Sequence, residues 1–318
     1  MKLKFAVAFF LTFPFAFAQA QLGGAELAIL SKKEDSLKKH AAEIIRGKQA
    51  TDRFLADSQF TKIFVRALAV KNSFQYPFDS LQTISKLYAP DSSFRILTWQ
   101  MVINDNVIRQ HGAIQMRTTN GSLKLFPLID KSDICINPTD TIADNKGWIG
   151  AVYYKIVLKE SNGKKYYTLL GFDENNIRST KKVIEILSFS DGRPVFGGRN
   201  FIIPKEYMQS VNAARYIMEF SKDASPRLTY DPELDMIIME HLVSNSGDVK
   251  KKWTLIPDGD YEGFRWTNGR WNYVNKIFSQ VTPENQPPVP TPLSNPAVED
   301  LDKIPAAKPP AAKPKKKD

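Results

Sequence analysis

Apolar residues recur at helical spacing from the start of the folded part of the chain. Leu27, Leu30, Leu37, Ala41, Ile44 and Ile45 follow that period, and Gly47 is a natural stop. The pattern predicts an amphipathic helix over 25–46. A second helix is predicted from about Thr51-Asp52 to about Val70, with Phe60, Ile63, Phe64, Ala67 and Leu68 as its buried stripe. Both helices are expected to pack on a sheet rather than to bind a partner or lie on a membrane.

From about Ile84 the period shortens to that of strands, and turn signals punctuate it. Asn120-Gly121, Asn162-Gly163, Asn268-Gly269 and Asp191-Gly192 are the strongest of these signals. A two-residue type I′ turn needs positive φ at both central positions, which Asn-Gly and Asp-Gly supply at least cost. Folding the sequence on each pair predicts a register. On Asn120-Gly121, Met116 faces Leu125, and Ile114, Met116, Leu123 and Leu125 share a face. On Asn162-Gly163, Glu160 faces Lys165, Leu158 faces Tyr167 and Ile156 faces Leu169. On Asp191-Gly192, Leu187 faces Phe196, and Pro194 must lie at an edge or end the pairing. On Asn268-Gly269, Trp266 faces Trp271 and Phe264 faces Tyr273. These four aromatics are expected to close the last part of the core rather than to form an exposed platform for sugar rings.

Helices followed by hairpins predict an α+β fold, with N-terminal helices packed on a mainly antiparallel, hairpin-rich sheet. A sandwich, a barrel and a partial propeller all stay open. The chain divides into a signal segment 1–20, a helical region 21–73, a β-rich domain 74–281 and a tail 282–318. Ten of the 20 prolines fall between Pro283 and Pro314, and the end reads AAKPPAAKPKKKD. Proline removes backbone donors, so this tail is expected to be disordered, with polyproline II character.

The two ends suggest an address. Lys2 and Lys4 precede an apolar run, Phe5 to Ala18, broken only by Thr12 and Pro14. The run falls short of the roughly 20 residues that span a bilayer. Ala16-Phe17-Ala18 or Ala18-Gln19-Ala20 fits a signal-peptidase site, so a cleaved secretory signal is expected, with the mature chain starting near Gln19 or Gln21. No cysteine follows the signal to carry a lipid anchor. The expected product is a soluble exported protein, periplasmic or extracellular. Cys135 is the single cysteine, so no intramolecular disulfide can form and the core must hold the fold. Net charge is +10 with the signal, and about +8 without it. That excess is compatible with weak attraction to anionic envelope polymers. Nucleic acid is not an expected partner.

Candidate chemistry is sparse. Asp258, Asp260 and Glu262 begin like a calcium loop but lack the later acid that completes one, so a turn at Pro257-Asp258-Gly259 entering a strand is the expected reading. Asp173, Glu174, Asn175 and Asn176 form one polar turn, and Asp231, Glu233 and Asp235 another. Hydrolysis of a polymer would need two facing carboxylates, from Asp173, Asp231, Asp258 or Glu262. Cys135 with His111 or His241 could supply a thiol and base, although a buried small hydrophobe is the commoner fate of a lone cysteine. His40 sits in the polar part of the first helix. No zinc motif, P-loop or G-x-S-x-G occurs, and no cofactor or metal is expected.

The phrases YPFDSLQTISKLYAPDSSFRILTW, YYTLLGFDENNIRSTKKVIEILSF, RLTYDPELDMIIMEHL and PDGDYEGFRWTNGRWNYV together resemble a group of exported proteins of Bacteroidetes-type bacteria. The resemblance covers roughly Phe74 to Val274 and implies an envelope or secreted location. It implies no activity and no site residues. Three functions follow as expectations: a non-catalytic envelope protein binding a polymer or protein partner, a carboxylate-based hydrolase, and an accessory part of a surface secretion or motility machine. The first is preferred, and the balance is against an enzyme.

Overall fold

Two helices open the part of the chain that the computed structural model describes, residues 22–206 and 212–278; the expected signal 1–20 and tail 282–318 lie outside the described residues. Helix α1 (Gly24–Arg46) buries Leu30, Leu37, Ala41 and Ile44. Leu27 and Ile45, placed on that stripe by periodicity, are 49% and 41% exposed. Ile45 is rotated by about 100° from Ile44, so the contact with the sheet admits only one of the pair. Helix α2 (Ala50–Leu68) starts at a capping box, in which Asp52 accepts the Gln49 backbone N–H at 3.3 Å, and buries Phe60, Phe64, Ala67 and Leu68.

The first sheet is a meander of β1 (Ser85–Tyr88), β2 (Phe94–Asn104), β3 (Val107–Met116) and β4 (Lys124–Ile129). The second sheet holds β5 (Ala143–Asp144), β6 (Val152–Ser161), β7 (Lys164–Asp173), β8 (Ser179–Ser190) and β9 (Arg193–Phe196), in the order β5-β9-β8-β7-β6. Strands β10 (Phe201–Ile202) and β11 (Asn212–Ala213) belong to a third sheet, while β12 (Arg215–Ser221) returns to the second and pairs with Ser179–Glu185 of β8. Strands β13 (Leu228–Asp231), β14 (Met236–Ser244), β15 (Leu255–Thr267) and β16 (Arg270–Val274) complete the third sheet, in the order β11-β10-β16-β15-β14-β13. The β10–β16 pair is parallel and the other strand pairs are antiparallel.

Side-chain alternation turns these sheets into layers. On β2, Leu97, Trp99 and Met101 pack with the helices, whereas Phe94 and Ile96 face the second sheet. On β8, Val183 and Leu187 face the first sheet, whereas Ile184 and Ile186 face the third. The architecture is therefore helix pair, sheet, sheet, sheet, with an apolar core in each of the three gaps. The second sheet is covered on both faces, so apolar residues occupy adjacent positions at Leu169-Leu170 of β7 and at Val183-Ile184 and Ile186-Leu187 of β8. A buried polar knot crosses it. Glu185 accepts Arg215 Nη2 at 3.0 Å and also bonds the Tyr153 hydroxyl, which in turn accepts the Trp148 indole N–H at 2.8 Å.

Three of the four hairpins form in the expected register. Glu160 pairs with Lys165, Leu187 with Phe196, and Trp266 with Trp271. Their Asn or Asp residues adopt φ of 50° at Asn162, 50° at Asp191 and 53° at Asn268. Pro194 sits beyond the short β5 pairing, which covers only Val195 and Phe196. Trp271 and Phe264 are fully buried in the outermost core, with Trp266 and Tyr273 packed against them.

The Asn120-Gly121 hairpin differs. Met116 pairs with Lys124 and Ile114 with Phe126, a one-residue slip from the expected register. Asn120 keeps negative φ and its side chain accepts the Ser122 N–H at 3.0 Å, so a longer loop over 117–123 replaces the two-residue turn. A slip of one exchanges the faces of a strand. Leu123 and Leu125 accordingly join the helix-side core, whereas Ile114, Met116 and Phe126 face the second sheet.

Candidate binding cleft

The chain between α2 and β1 wraps under the first sheet in an unusual backbone path. Asn72 and Phe78 hold φ of 60° and 56° there, and Ser92, between β1 and β2, holds 56°. Each such non-glycine conformation costs on the order of 1–3 kcal/mol and persists only where its surroundings over-determine it. Arg95 of β2 supplies much of that determination. Its side chain is fully buried, and among the described residues no carboxylate forms an ion pair with it. It donates to Gln115 Oε1 at 2.8 Å, Tyr76 O at 2.6 Å, Tyr88 Oη at 2.9 Å and Ser73 O at 2.9 Å. Its guanidinium also lies 5.4 Å from the Phe78 ring centre, 5.5 Å from Tyr88 and 5.8 Å from Phe74. Burial lowers its pKa, yet a guanidinium stays charged across the physiological range. One cation thus stitches residues 73–78 to β2 and β3 through carbonyl dipoles and ring faces.

Gln115 continues the seam, donating Nε2–H to Ser73 Oγ at 3.0 Å. Asn72 donates its backbone N–H to Gly121 O at 2.9 Å, which fixes the 117–123 loop. On the opposite side Asp91 accepts from Lys165 Nζ at 2.7 Å, Ser93 Oγ at 2.7 Å and Tyr167 Oη at 2.9 Å. Burial alone would raise the Asp91 pKa, but these donors outweigh it and hold the carboxyl well below the usual range.

These segments enclose a cleft of about 580 Å³, within the size range of ligand sites. Amides and hydroxyls from Asn72, Gln75, Ser93, Thr118 and Ser122 line it, beside the apolar Phe74 and Met116. Among the described residues its ionic lining groups are Asp91 and Arg117. Comparison with protein-family models, curated proteins and solved structures finds no match.

The carboxylates singled out by sequence lie elsewhere and apart. Asp173, on β7, is buried and accepts Gln110 Nε2 at 2.8 Å. Asp231 caps its own turn, accepting N–H groups of Glu233 at 2.9 Å and Leu234 at 3.0 Å. Between the Glu240–Tyr261 and Leu242–Pro257 pairs, β14 contributes one residue and β15 contributes Asp258, Gly259 and Asp260. The expected turn at Pro257-Asp258-Gly259 is thus a bulge inside β15, and it breaks the alternation that would align three acids. Asp258 meets His241 Nδ1 at 2.8 Å, Asp260 lies 3.9 Å from Lys276 Nζ, and Glu262 accepts the Tyr273 hydroxyl at 2.5 Å. Burial raises the Glu262 pKa, whereas the His241 bond overcomes burial and lowers that of Asp258. Among the described residues no group of three or more His, Cys, Asp or Glu side chains is placed to hold a metal ion.

Cys135 Sγ lies 3.2 Å from Thr141 Oγ1, while His111 pairs with Asp57 at 3.2 Å and His241 with Asp258. The cysteine–histidine pair does not form. His111 lies inside β3, and Asp57 is fixed from its other side by the Trp99 indole N–H at 2.8 Å. Sequence reasoning missed Arg95, Gln115 and the 72–78 segment. The one available signal was an arginine inside the apolar strand run FRILTW.

Proposed function

We propose that the protein is a non-catalytic exported envelope protein whose cleft binds a segment of an envelope glycan. The observation that carries this reading is the lining of the cleft: hydroxyls and amides in number, one aromatic wall at Phe74, and no reactive pair. Asp91, its single acid, is already engaged by Lys165, Ser93 and Tyr167 and has no second carboxylate across the cleft. Such a site offers donors and acceptors to sugar hydroxyls and N-acyl groups but no general acid–base couple for cleavage. Export rests on the basic start, short apolar run and Ala-x-Ala site of residues 1–20. The lysines of 303–317 add a second, salt-screened attraction to anionic polymer.

The test is calorimetry of the mature protein with solubilised envelope glycan strands. Thr119→Trp, at an exposed lining position, should block binding without changing the melting temperature. Phe74→Ala should weaken it. Glycan binding that survives Thr119→Trp would remove the cleft from the account. Release of shortened glycan by the wild type would replace binding with hydrolysis.

A further inference from the structure

The outward face of the helix pair carries a second, independent feature. A groove of about 340 Å³ runs between α1 and α2, lined by Ile29, Lys32, Lys33, Ser36, Ile63 and Arg66. On α1, positions 29, 32, 33 and 36 fall on one stripe by helical spacing. Ile29 at the groove is 48% exposed, and Ile63 across it is partly exposed. An isoleucine exposed at such a position contributes nothing to a solvated helix face.

The charges there are one-sided. Among the described residues, none pairs ionically with Lys32, Lys33 or Arg66. The acids of α1 that could answer them are used elsewhere. Asp35 bonds Lys38 at 2.7 Å, and Glu34 turns inward to the Tyr76 hydroxyl at 2.5 Å and the Ser80 N–H at 2.7 Å. The long stems of lysine and arginine can cover an apolar floor while their heads stay at its rim. A basic rim over an exposed apolar stripe is the arrangement by which a helix sits in the boundary between headgroups and acyl chains. A small free anion would use the cations and leave Ile29 and Ile63 without a role.

The geometry points to the α1–α2 face as a docking surface for an anionic lipid leaflet, with Lys32, Lys33 and Arg66 on the headgroups and Ile29 entering the acyl boundary. The partner is a lipid phosphate presented by a membrane, not a soluble phosphate. The cleft described above shares no lining residue with this groove. The two proposals stand or fall separately.

The experiment is co-sedimentation of the mature full chain with vesicles of phosphatidylcholine alone and of equal phosphatidylcholine and phosphatidylglycerol. The wild type should bind only the anionic vesicles. Neutralising the groove with Lys32→Gln, Lys33→Gln and Arg66→Gln together should weaken binding about a hundredfold, since each cation near an anionic surface contributes roughly a factor of five. A control triple, Lys131→Gln, Lys146→Gln and Lys250→Gln, removes the same charge from exposed positions elsewhere and should lose far less. Ile29→Ser, which keeps every charge, should weaken binding several-fold and separates lipid insertion from plain attraction. Inorganic phosphate should not compete. Equal loss in the two triples, or loss only when the lysines at 313 and 315–317 are neutralised, would overturn the inference by assigning the attraction to net charge or to the tail. The substituted groove and control residues are exposed or, at Lys33, partly exposed, and matching far-UV circular dichroism establishes that each variant is folded.

Discussion

Gly121 and Gly163 occupy the same backbone region, with φ of 73° and 70°, in different surroundings. A Cβ on Gly163 would meet nothing within 4 Å. A Cβ on Gly121 would overlap Asn72 Oδ1 and lie 3.2 Å from the Asn72 backbone nitrogen. Gly163→Ala therefore reports only the cost of placing an L residue in the left-handed region, about 1 kcal/mol. Gly121→Ala carries that cost and also pushes Asn72 from its bond to the loop. Losing one such hydrogen bond adds roughly 1–2 kcal/mol, for a total of about 2–3 kcal/mol. For a chain of this size the melting temperature should fall by about 3 °C in Gly163→Ala and by about 5–10 °C in Gly121→Ala. Urea titration should give a lower midpoint at unchanged slope in both. Calorimetry with the glycan should then show normal affinity for Gly163→Ala and weakened affinity for Gly121→Ala, because Asn72 and the 117–123 loop form one wall of the cleft. Equal midpoints would refute the claim that Asn72 and Gly121 are coupled. A destabilised Gly121→Ala that binds normally would refute the claim that this coupling shapes the cleft.

Asp91→Asn should destabilise the protein at neutral pH by about 1 kcal/mol through weakened bonds to Lys165, Ser93 and Tyr167. Because the folded-state pKa of Asp91 is depressed, its contribution is fully present above the ordinary carboxylate range and is lost as pH falls below that range toward the depressed folded value. The gap between variant and wild type in urea midpoints should therefore narrow on acidification; a constant gap would contradict the pairing. Arg215→Met strands the Glu185 charge at a fully buried position and should cost about 3–5 kcal/mol. Adding Glu185→Gln to it should cost less than the sum of the two single changes, measured as a double-mutant cycle. Deleting Lys303–Asp318 should reduce sedimentation with cell-wall material at low salt and have little effect at high salt, where exposed charges are screened.

Hairpins were legible because their information is local. Asn162-Gly163 fixes a turn, the turn fixes a register, and the register places Ile156 opposite Leu169 with no knowledge of the rest of the chain. The aromatic pairs across Asn268-Gly269 followed in the same way, down to Trp266 and Trp271 with ring centres 5.3 Å apart. The stacking of three sheets was not legible. An apolar residue such as Ile184 or Leu187 states that it is buried but not against which layer, and the two end in different cores. The Arg95 seam was hidden for a related reason. Its partners are mostly carbonyl oxygens and ring faces of residues 73–88, which carry no sequence signature. The bulge at Asp258–Asp260 escaped because its two extra residues are defined only against the partner strand.

The hairpin whose register differs from expectation is the one that borders the cleft. A two-residue turn at Asn120-Gly121 would have brought β3 and β4 together at Thr119 and Ser122. Instead the strands part after Met116 and Lys124, and the loop between them supplies Arg117, Thr118, Thr119, Gly121 and Ser122 to the lining. The slip also turns Leu123 and Leu125 toward the helices, so burial on that side compensates the lost turn geometry. Beside this loop Ser92 holds positive φ, which a serine side chain disfavours, and Arg95 is buried against carbonyl oxygens and ring faces. Local preference and final structure thus disagree at two places around one cavity, while they agree at the hairpins of Asn162, Asp191 and Asn268. Departures from local rules concentrate where a fold gives up stability to shape a site. That concentration is a physical reason to look for the ligand in the cleft before the acidic clusters, whose members each satisfy a separate neighbour: Asp231 its own turn, Asp258 a histidine, Glu262 a tyrosine.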